Sequence, residues 1–229
     1  MEPAQKVVPH FRDELDLLKA RLLVMGGEAE EQVRCAVRAL VDRDDALAQR
    51  VLEGDEVVNR LHIEVDARCF KLLALHQPVA RDLRVIVSGV KINSDLERIG
   101  DFAVNIAEAT LRYIKHPVVK PLIDIPKMGE IAQRMLRDAL DAYVRHDTVL
   151  AKDVLDRDDE LDRLKDEVFR ELLSVMLDDP TKTEPALELV LISRHLERIG
   201  DHATNIGEDV IFIKSGHDVR HHAREGPAD

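Results

Sequence analysis

The stretch LERIGD at residues 96–101 occurs a second time, unchanged, at residues 196–201. Further matches extend towards the amino terminus, where residues 41–65 resemble residues 144–168 and residues 25–29 resemble residues 128–132. A repeat of this length has to be identified before the fold is predicted, because it means that one structural unit occurs twice. The chain is therefore predicted to be an internal duplication whose halves differ by a short deletion in one loop.

Each half is predicted to contain three α-helices. Apolar residues recur at spacings of three and four over residues 11–43, over a second segment that stops before Pro78, and over a third that begins near Ala80. Asp44 or Asp45 is placed to cap the second helix. In the second half the predicted helices span about 127–145, 148–177 and 184–214, with a turn at 179–182. Because no segment alternates apolar and polar residues, the fold class is all-α with six helices.

Proline marks the boundary between the halves. Pro117, Pro121 and Pro126 fall within ten residues, and a helix interior does not tolerate this. The predicted organisation is a first three-helix repeat (1–116), a proline-rich linker (117–126), a second three-helix repeat (127–216) and a flexible tail (217–229).

Composition excludes several classes of protein. A net charge of -12 and only 33 basic residues count against a nucleic-acid partner, which requires a clustered basic face. No apolar run approaches the roughly 20 residues of a membrane span, and the first residues do not form a signal sequence. Direct insertion into a membrane is therefore not expected, and a cytoplasmic location is predicted. Cys35 and Cys69 have no Cys-x-x-Cys spacing and are predicted to be buried, reduced thiols.

The repeated helix carries an acidic stripe on one side. At about 100° per residue, Glu97, Asp101, Asn105 and Glu108 fall within a sector of about 80°, opposite the apolar positions of the same helix. The second copy places Glu197, Asp201, Asn205 and Glu208 in the same geometry. Both stripes are predicted to face away from the core of their own repeat.

A second oxygen-rich stripe is predicted on the preceding helix of each half. In the first half it contains Asp55, Asn59, His62 and Asp66, and in the second half it contains Asp158, Asp162 and Asp166. If the two helices lie side by side, carboxylate, amide and imidazole groups converge in the manner of a metal site.

Two interpretations of the stripes remain open. A solvated helix face normally pairs Glu with Lys or Arg four residues on, and no cation occupies the stripe in either copy. This favours metal or cation binding over plain surface, although Arg98 and Arg198 can neutralise part of the charge. His195 and His202 are secondary ligand candidates, since their counterparts in the first half are Asp95 and Phe102. The tail residues His217, His221 and His222 are expected to be solvated.

Glycine interrupts both copies of the helix at the same place. Gly100 and Gly200 each cost up to about 1 kcal/mol relative to alanine in a helix interior. A cost that occurs in both copies predicts a close approach of another helix at this point, although shared ancestry of the copies also accounts for it.

These residues resemble the PhoU family of phosphate-signalling regulators. The resemblance rests on residues 77–108, 195–208 and 212–220, and it extends over about residues 11–220. It implies two tandem antiparallel three-helix bundles in a cytosolic, non-enzymatic negative regulator. It also implies two partners, the ATPase of a phosphate ABC transporter and a phosphate-sensing histidine kinase.

The resemblance further implies iron or zinc, in clusters held by acidic motifs of the Glu/Asp-x-x-x-Asp type. Residue by residue, this motif falls on three pairs: Glu97 with Asp101, Glu197 with Asp201, and Asp158 with Asp162. The fourth pair is Asp55 with Asn59, whose amide is a weaker ligand, so the two sites are predicted to differ in affinity. Asn105, Asn205, Glu108 and Glu208 continue the stripes and are candidates to complete the ligand shells.

The sequence bears on two other functions. A carboxylate-bridged metalloenzyme of the helical-bundle type uses Glu-x-x-His pairs that point into the core, and no Glu precedes a His by three positions in this sequence. No phosphate-binding Gly-rich loop is present either. A metal store and a purely structural bundle stay possible, but the latter leaves the duplicated acidic stripes unexplained. A homodimer is expected from the long Leu-rich helices.

Overall fold

The computed structural model describes residues 9–217 and contains six long α-helices. Their bounds are α1 Pro9–Asp42, α2 Asp45–His76, α3 Ala80–Tyr113, α4 Asp124–Arg145, α5 Thr148–Asp178 and α6 Thr183–Ser215. A single 3₁₀ turn, Pro180–Lys182, links α5 to α6. The prediction of an all-α chain with three helices in each half is confirmed.

The start of α4 differs from the sequence prediction. The proline-rich linker was expected to extend through Pro126, but the helix already begins at Asp124, so Pro126 is its third residue. Proline has no N–H group, and the N–H groups of the first helical turn have no partner within the helix. Pro126 therefore fits where a proline deeper in the helix would not.

The corner between the first and second helix has the same construction in both repeats. Arg43 and His146 adopt left-handed backbone angles, each with φ of 54°. The next residue then caps the following helix: Asp44 accepts a hydrogen bond from the backbone N–H of Leu47 at 2.9 Å, and Asp147 accepts one from Leu150 at 3.2 Å. The shared turn geometry supports the interpretation of the halves as copies of one unit.

The helices form two antiparallel three-helix bundles that share one hydrophobic core. Within each repeat the three helices pack on one another, and between repeats α3 packs along α6 and α1 along α4. Within the described residues α2 and α5 make no contact with each other, so they lie on the outer sides of the molecule. The core runs continuously through both repeats, from Leu18 and Leu22 to Ile206 and Ile213, which are fully buried.

The crossing of α1 and α4 depends on a pair of equivalent glycines. A Cβ atom on Gly129 would lie 3.0 Å from Val37 of α1, and one on Gly26 would overlap Leu140 of α4. Each helix therefore presents a bare backbone to an apolar side chain of the other.

Contacts at the helix ends place the start of α1 and the end of α6 beside the turn between α2 and α3. The ring of Phe11 lies 5.0 Å from that of His76, and Arg84 Nε donates to the carbonyl of Ile213 at 3.1 Å. At the other end of the first repeat, Arg43 donates to the carbonyl of Ile114 after α3.

Three further predictions can be compared with the structure. Cys69 is fully buried as predicted, but Cys35 is half-buried, so the prediction for Cys35 is wrong. Cys35 packs against the core from its edge and also lines a groove between α1 and α2. His217 is exposed and its backbone N–H bonds to Ser215 Oγ, whereas His221 and His222 lie outside the described residues. No helix in residues 9–217 combines the length and apolar character needed to cross a membrane.

Gly207 gives a test of the packing of α5 on α6. A Cβ at this position would lie 3.1 Å from the backbone oxygen of Ala151 and 2.8 Å from Leu155. Gly207→Ala is expected to lower the free energy of unfolding by about 1–3 kcal/mol, because the backbone of α5 must move. Gly27→Ala is the matched control: nothing lies within 4 Å of its Cβ, so it should stabilise the protein by about 0.5–1 kcal/mol. Urea unfolding measures both, and an equal effect of the two substitutions would contradict this packing.

Candidate metal and docking faces

The acidic stripe of the repeated helix lies opposite the core, as predicted. Leu96, Ile99 and Ala103 of α3 are fully buried, whereas the side chains of Glu97 and Asp101 are 30% and 37% exposed. These carboxylates are nevertheless far from fully solvated, because the neighbouring outer helix covers part of each stripe. Partial burial increases the strength of any electrostatic interaction made there.

The glycine in each copy of the repeated helix allows the outer helix of that repeat to approach closely. A Cβ on Gly100 would lie 3.2 Å from Val58 of α2, and a Cβ on Gly200 would overlap Leu161 of α5. The predicted close helix approach is confirmed. In the second repeat it also places the Asp158 carboxylate 3.6 Å from the Cβ position of Gly200, beside Asp201.

The structure brings four carboxylates together in the second repeat. We call Asp158, Asp162, Glu197 and Asp201 the second acidic face. Burial, followed by repulsion from the other three carboxylates, raises the pKa of Asp158 to about 6. Burial and like-charge repulsion also raise the pKa of Glu197 and of Asp201. The convergence that the sequence predicted for neighbouring helices is therefore present here.

A lysine enters this second acidic face, which the sequence analysis did not anticipate. Lys165 Nζ lies 3.2 Å from Asp162, 3.3 Å from Glu197 and 3.6 Å from Asp166. The prediction that no cation occupies the stripe is wrong for this copy. That prediction rested on the absence of a cation four residues away on the same helix, whereas Lys165 reaches Glu197 of α6 from the neighbouring helix α5. The spacing of Asp162 and Lys165 by three residues was the signal available in the sequence.

The first repeat arranges the equivalent positions differently. We call Asp55, Asn59, Glu97 and Asp101 the first acidic face. Asn59 donates to Asp55 at 2.7 Å, and Arg98 lies 3.8 Å from Glu97 and 3.4 Å from Asp101. The Asn59 amide thus hydrogen-bonds to one carboxylate of this face and the Arg98 guanidinium offsets part of its charge, consistent with the predicted pairing of Arg98.

A buried asparagine supports the outer helix beside this face. Asn93 of α3 is fully buried and donates at 2.9 Å both to Asp66 and to the carbonyl of His62. His62 occupies the position of Lys165 in the other repeat, and its Nε2 lies 3.6 Å from Asp66. Sequence reasoning missed Asn93, because a polar residue on the apolar side of a helix gives no pattern of its own.

Three of the predicted residues of α6 face the other repeat. Asn205 donates to Asp95 of α3 at 3.2 Å, and His202 Nδ1 lies 2.7 Å from the same carboxylate. The ring of His195 stacks on Phe102 with 5.7 Å between centroids. These side chains therefore join α3 to α6. The remaining candidates extend the stripes: Asn105 and Glu208 are half-buried, and Glu108 is exposed.

The carboxylates have suitable donor atoms for a hard or borderline cation, but they do not enclose one as they stand. Within residues 9–217, no three Asp, Glu, His or Cys side chains are arranged to hold a metal ion. Binding of a metal at the second acidic face would require Lys165 to leave its partners and the carboxylates to rotate. The raised pKa of Asp158 reflects a concentration of negative charge that a cation would relieve.

The pKa of Asp158 predicts a specific dependence of stability on pH. Its ordinary value of 3.8 rises to about 6 on folding, so between these values the folded protein binds more protons than the unfolded chain. Stability should therefore fall as pH rises through this range. Asp158→Asn should raise the free energy of unfolding at pH 7 by about 1 kcal/mol after allowance for solvent screening, and by much less at pH 4. Asp159→Asn, an exposed neighbour, controls for the loss of one charge, and an Asp158→Asn effect that is equal at both pH values would refute the assignment.

Comparison with known proteins agrees with this architecture. A family model described as the PhoU domain matches residues 22–110 and again residues 125–210. A homologue from Pseudomonas putida, called a phosphate-specific transport system accessory protein, is 42% identical over 212 residues, which cover 92% of this chain and 83% of the relative. A homologue of the same description from Aquifex aeolicus is 38% identical over 213 residues, covering 93% and 96%.

Solved structures show the same similarity. The crystal structure of PhoU from Pseudomonas aeruginosa superposes with a TM-score of 0.87 at 40% identity, covering 90% of this chain and 100% of that one. The phosphate transport system regulatory protein PhoU from Streptococcus pneumoniae gives a TM-score of 0.85 at 28% identity, covering 91% and 99%. With both repeats matched and relatives aligned over nearly their full length, this chain belongs to the PhoU family.

Proposed function

We propose that this chain is a cytoplasmic, non-enzymatic regulator that restrains phosphate uptake and phosphate-starvation signalling. The observation that carries the proposal is the match of both repeats to the PhoU domain, together with relatives described as accessory proteins of phosphate-specific transport. The geometry supports a binding role, since the charged groups of the two acidic faces lie on outer surfaces.

The proposed mechanism is that of an adaptor between the ATPase of the phosphate ABC transporter and a sensor histidine kinase. The two acidic faces belong to different repeats, next to outer helices that do not contact each other within residues 9–217. A single chain can therefore offer two separate docking surfaces. Arg98 pairs with Asp101 on the first surface and Arg198 with Asp201 on the second, but only the second also contains a lysine, Lys165, so the two surfaces differ in charge and are suited to different partners.

We further propose that the acidic faces bind iron or zinc, with a multinuclear cluster as one possible form. Asp158, Asp162, Glu197 and Asp201 would hold the ion at the second face, and Asp55, Asn59, Glu97 and Asp101 would hold it at the first. A bound cation would supply positive charge that offsets the repulsion between carboxylates. Lys165 supplies part of that charge now, so it competes with metal at the second face.

Association with a second copy is also proposed. Three apolar side chains on α5 are exposed at spacings of four residues: Phe169 at 49%, Leu173 at 42% and Leu177 at 75%. A stripe with this spacing suits packing against another helix.

The regulatory role is tested by gene deletion in the source organism. Deletion should raise transcription of phosphate-starvation genes in phosphate-rich medium, and the wild-type chain should restore repression. A chain with Glu97→Gln, Asp101→Asn, Glu197→Gln and Asp201→Asn removes the charges at little cost in shape, so it should accumulate normally but restore repression only in part. Continued repression after deletion would contradict the regulatory proposal, and full complementation by the quadruple variant would contradict docking through the acidic faces.

The metal proposal is tested separately by elemental analysis of the purified protein. Lys165→His replaces the competing cation with the residue type found at position 62, so it should raise the bound zinc or iron per chain over the wild type. The quadruple variant should lose bound metal. Equal metal content in all three proteins would contradict the proposed sites.

Sedimentation of the same samples tests the dimer. A measured mass of 25.9 kDa, that of one chain, would contradict it.

A further inference from the structure

A groove lies between α1 and α2 of the first repeat. It encloses about 220 Å³. Leu47, Val51 and Val57 give it apolar walls, while Glu28, Glu31 and Gln32 line it with polar groups. Neither the acidic faces nor the proposed regulatory role accounts for this groove.

The second repeat has a pair of charged side chains at the equivalent place. Gly54 of the groove corresponds to Arg157, and Cys35 corresponds to Asp138. Arg157 pairs with Asp138 across α4 and α5, and their side chains are only 37% and 29% exposed. The first repeat has a glycine in place of that arginine, so the space of an arginine side chain is left open between its helices.

The first repeat nevertheless keeps hydrogen-bond acceptors at this place. Cys35 Sγ lies 3.3 Å from Glu31 Oε1, so a carboxylate from the preceding turn of α1 lies close to the position of Asp138. Arg34 donates to Glu31 from its own helix, which leaves Glu28 as a second carboxylate of the groove. The acceptors are therefore present while the donor that occupies the other repeat is missing.

A buried amide at the base of the groove adds an independent observation. Gln32 is only 8% exposed, and its Oε1 is buried without a hydrogen-bond partner. The amide lies between two helical glycines: Nε2 is 3.4 Å from the Cβ position of Gly54 in α2, and the unpartnered Oε1 is 3.5 Å from that of Gly100 in α3. A half-turn of the amide brings the oxygen to the Gly54 side, where an N–H donor in the groove would reach it. The corresponding residue of the second repeat is Met135, whose side chain has no amide oxygen that needs a hydrogen-bond donor.

We propose that this groove binds an alkylguanidinium group, the chemistry of an arginine side chain. The apolar walls accept the methylene stem, and Glu28 and Gln32 accept hydrogen bonds from the planar N–H fork, with the carboxylate of Glu31 beside them. Arg50, one turn before Gly54, also lines the groove and repels an incoming cation. The ligand thus supplies to the first repeat what Arg157 supplies to the second.

Agmatine titrated into the full-length protein tests the site, with the backbone amide of Gly54 and the side-chain amide of Gln32 observed by NMR. Both signals should shift, with the roughly millimolar affinity that a fragment of this size reaches. Butylamine, a cation without the fork, should bind at least about fivefold more weakly. N-acetyl-arginine N-methylamide distinguishes the source: if it binds like agmatine, the group can come from a protein, and if only agmatine binds, it comes from a free small molecule. No shift with either guanidinium probe would overturn the proposal.

Variants provide the matched controls. Gln32→Met copies the second repeat and should weaken agmatine binding about tenfold, while Arg50→Ala should strengthen it. Cys35→Asp with Gly54→Arg rebuilds the internal pair and should abolish binding. In the second repeat, Asp138→Cys with Arg157→Gly should open a new groove but, lacking the buried amide, bind at least tenfold more weakly. Unchanged binding in Gln32→Met, or weaker binding in Arg50→Ala, would overturn the assignment. EDTA should leave binding unaltered, which separates this site from the proposed metal sites.

Discussion

The packing of α3 against α6 constrains every other part of the molecule. Each copy of the repeated helix has to bury surface against three neighbours: the first and second helices of its own repeat, and the other copy. Leu96, Ile99 and Ala103, with their equivalents, are completely buried by these contacts. Only a narrow sector of each helix is left for charged side chains, and the acidic stripe occupies that sector. The partial burial of the carboxylates follows from the same crowding.

The duplicated frame holds contacts that are no longer equivalent. At the α3–α6 interface, Asp95 pairs with His202, whereas their symmetry-related positions contain His195 and Phe102, which stack. The aspartate thus makes a polar contact with one histidine, whereas Phe102 lies against the rings of both histidines. Beside the acidic faces, a histidine stands where the other repeat has a lysine. Because the shared backbone fixes where these side chains lie, substitution alone gives the two repeats different electrostatic character.

Much of the fold could be predicted from the sequence, because its signals are local. Asp44 as a helix cap and the proline cluster after α3 depend on neighbouring residues, and both helix boundaries were placed to within a few residues. The position of the acidic faces could also be predicted from helical periodicity. Lys165 was missed because its second partner, Glu197, lies on another helix. The exposure of Cys35 could not be predicted either, since it depends on how closely α2 packs on α1 at Gly54.

The arrangement of the helix ends bears on the order of the two repeats along the chain. The start of α1, beside His76, and the end of α6, beside Arg84, both adjoin the same turn between α2 and α3. The segment that joins the repeats, after α3, lies at the other end of the first bundle. Terminal helices whose outer ends lie near one another are suited to circular permutation. The packing therefore does not dictate which repeat comes first: a chain in which the end of α6 is linked to the start of α1, and which is opened between α3 and α4, would retain every helix contact described above.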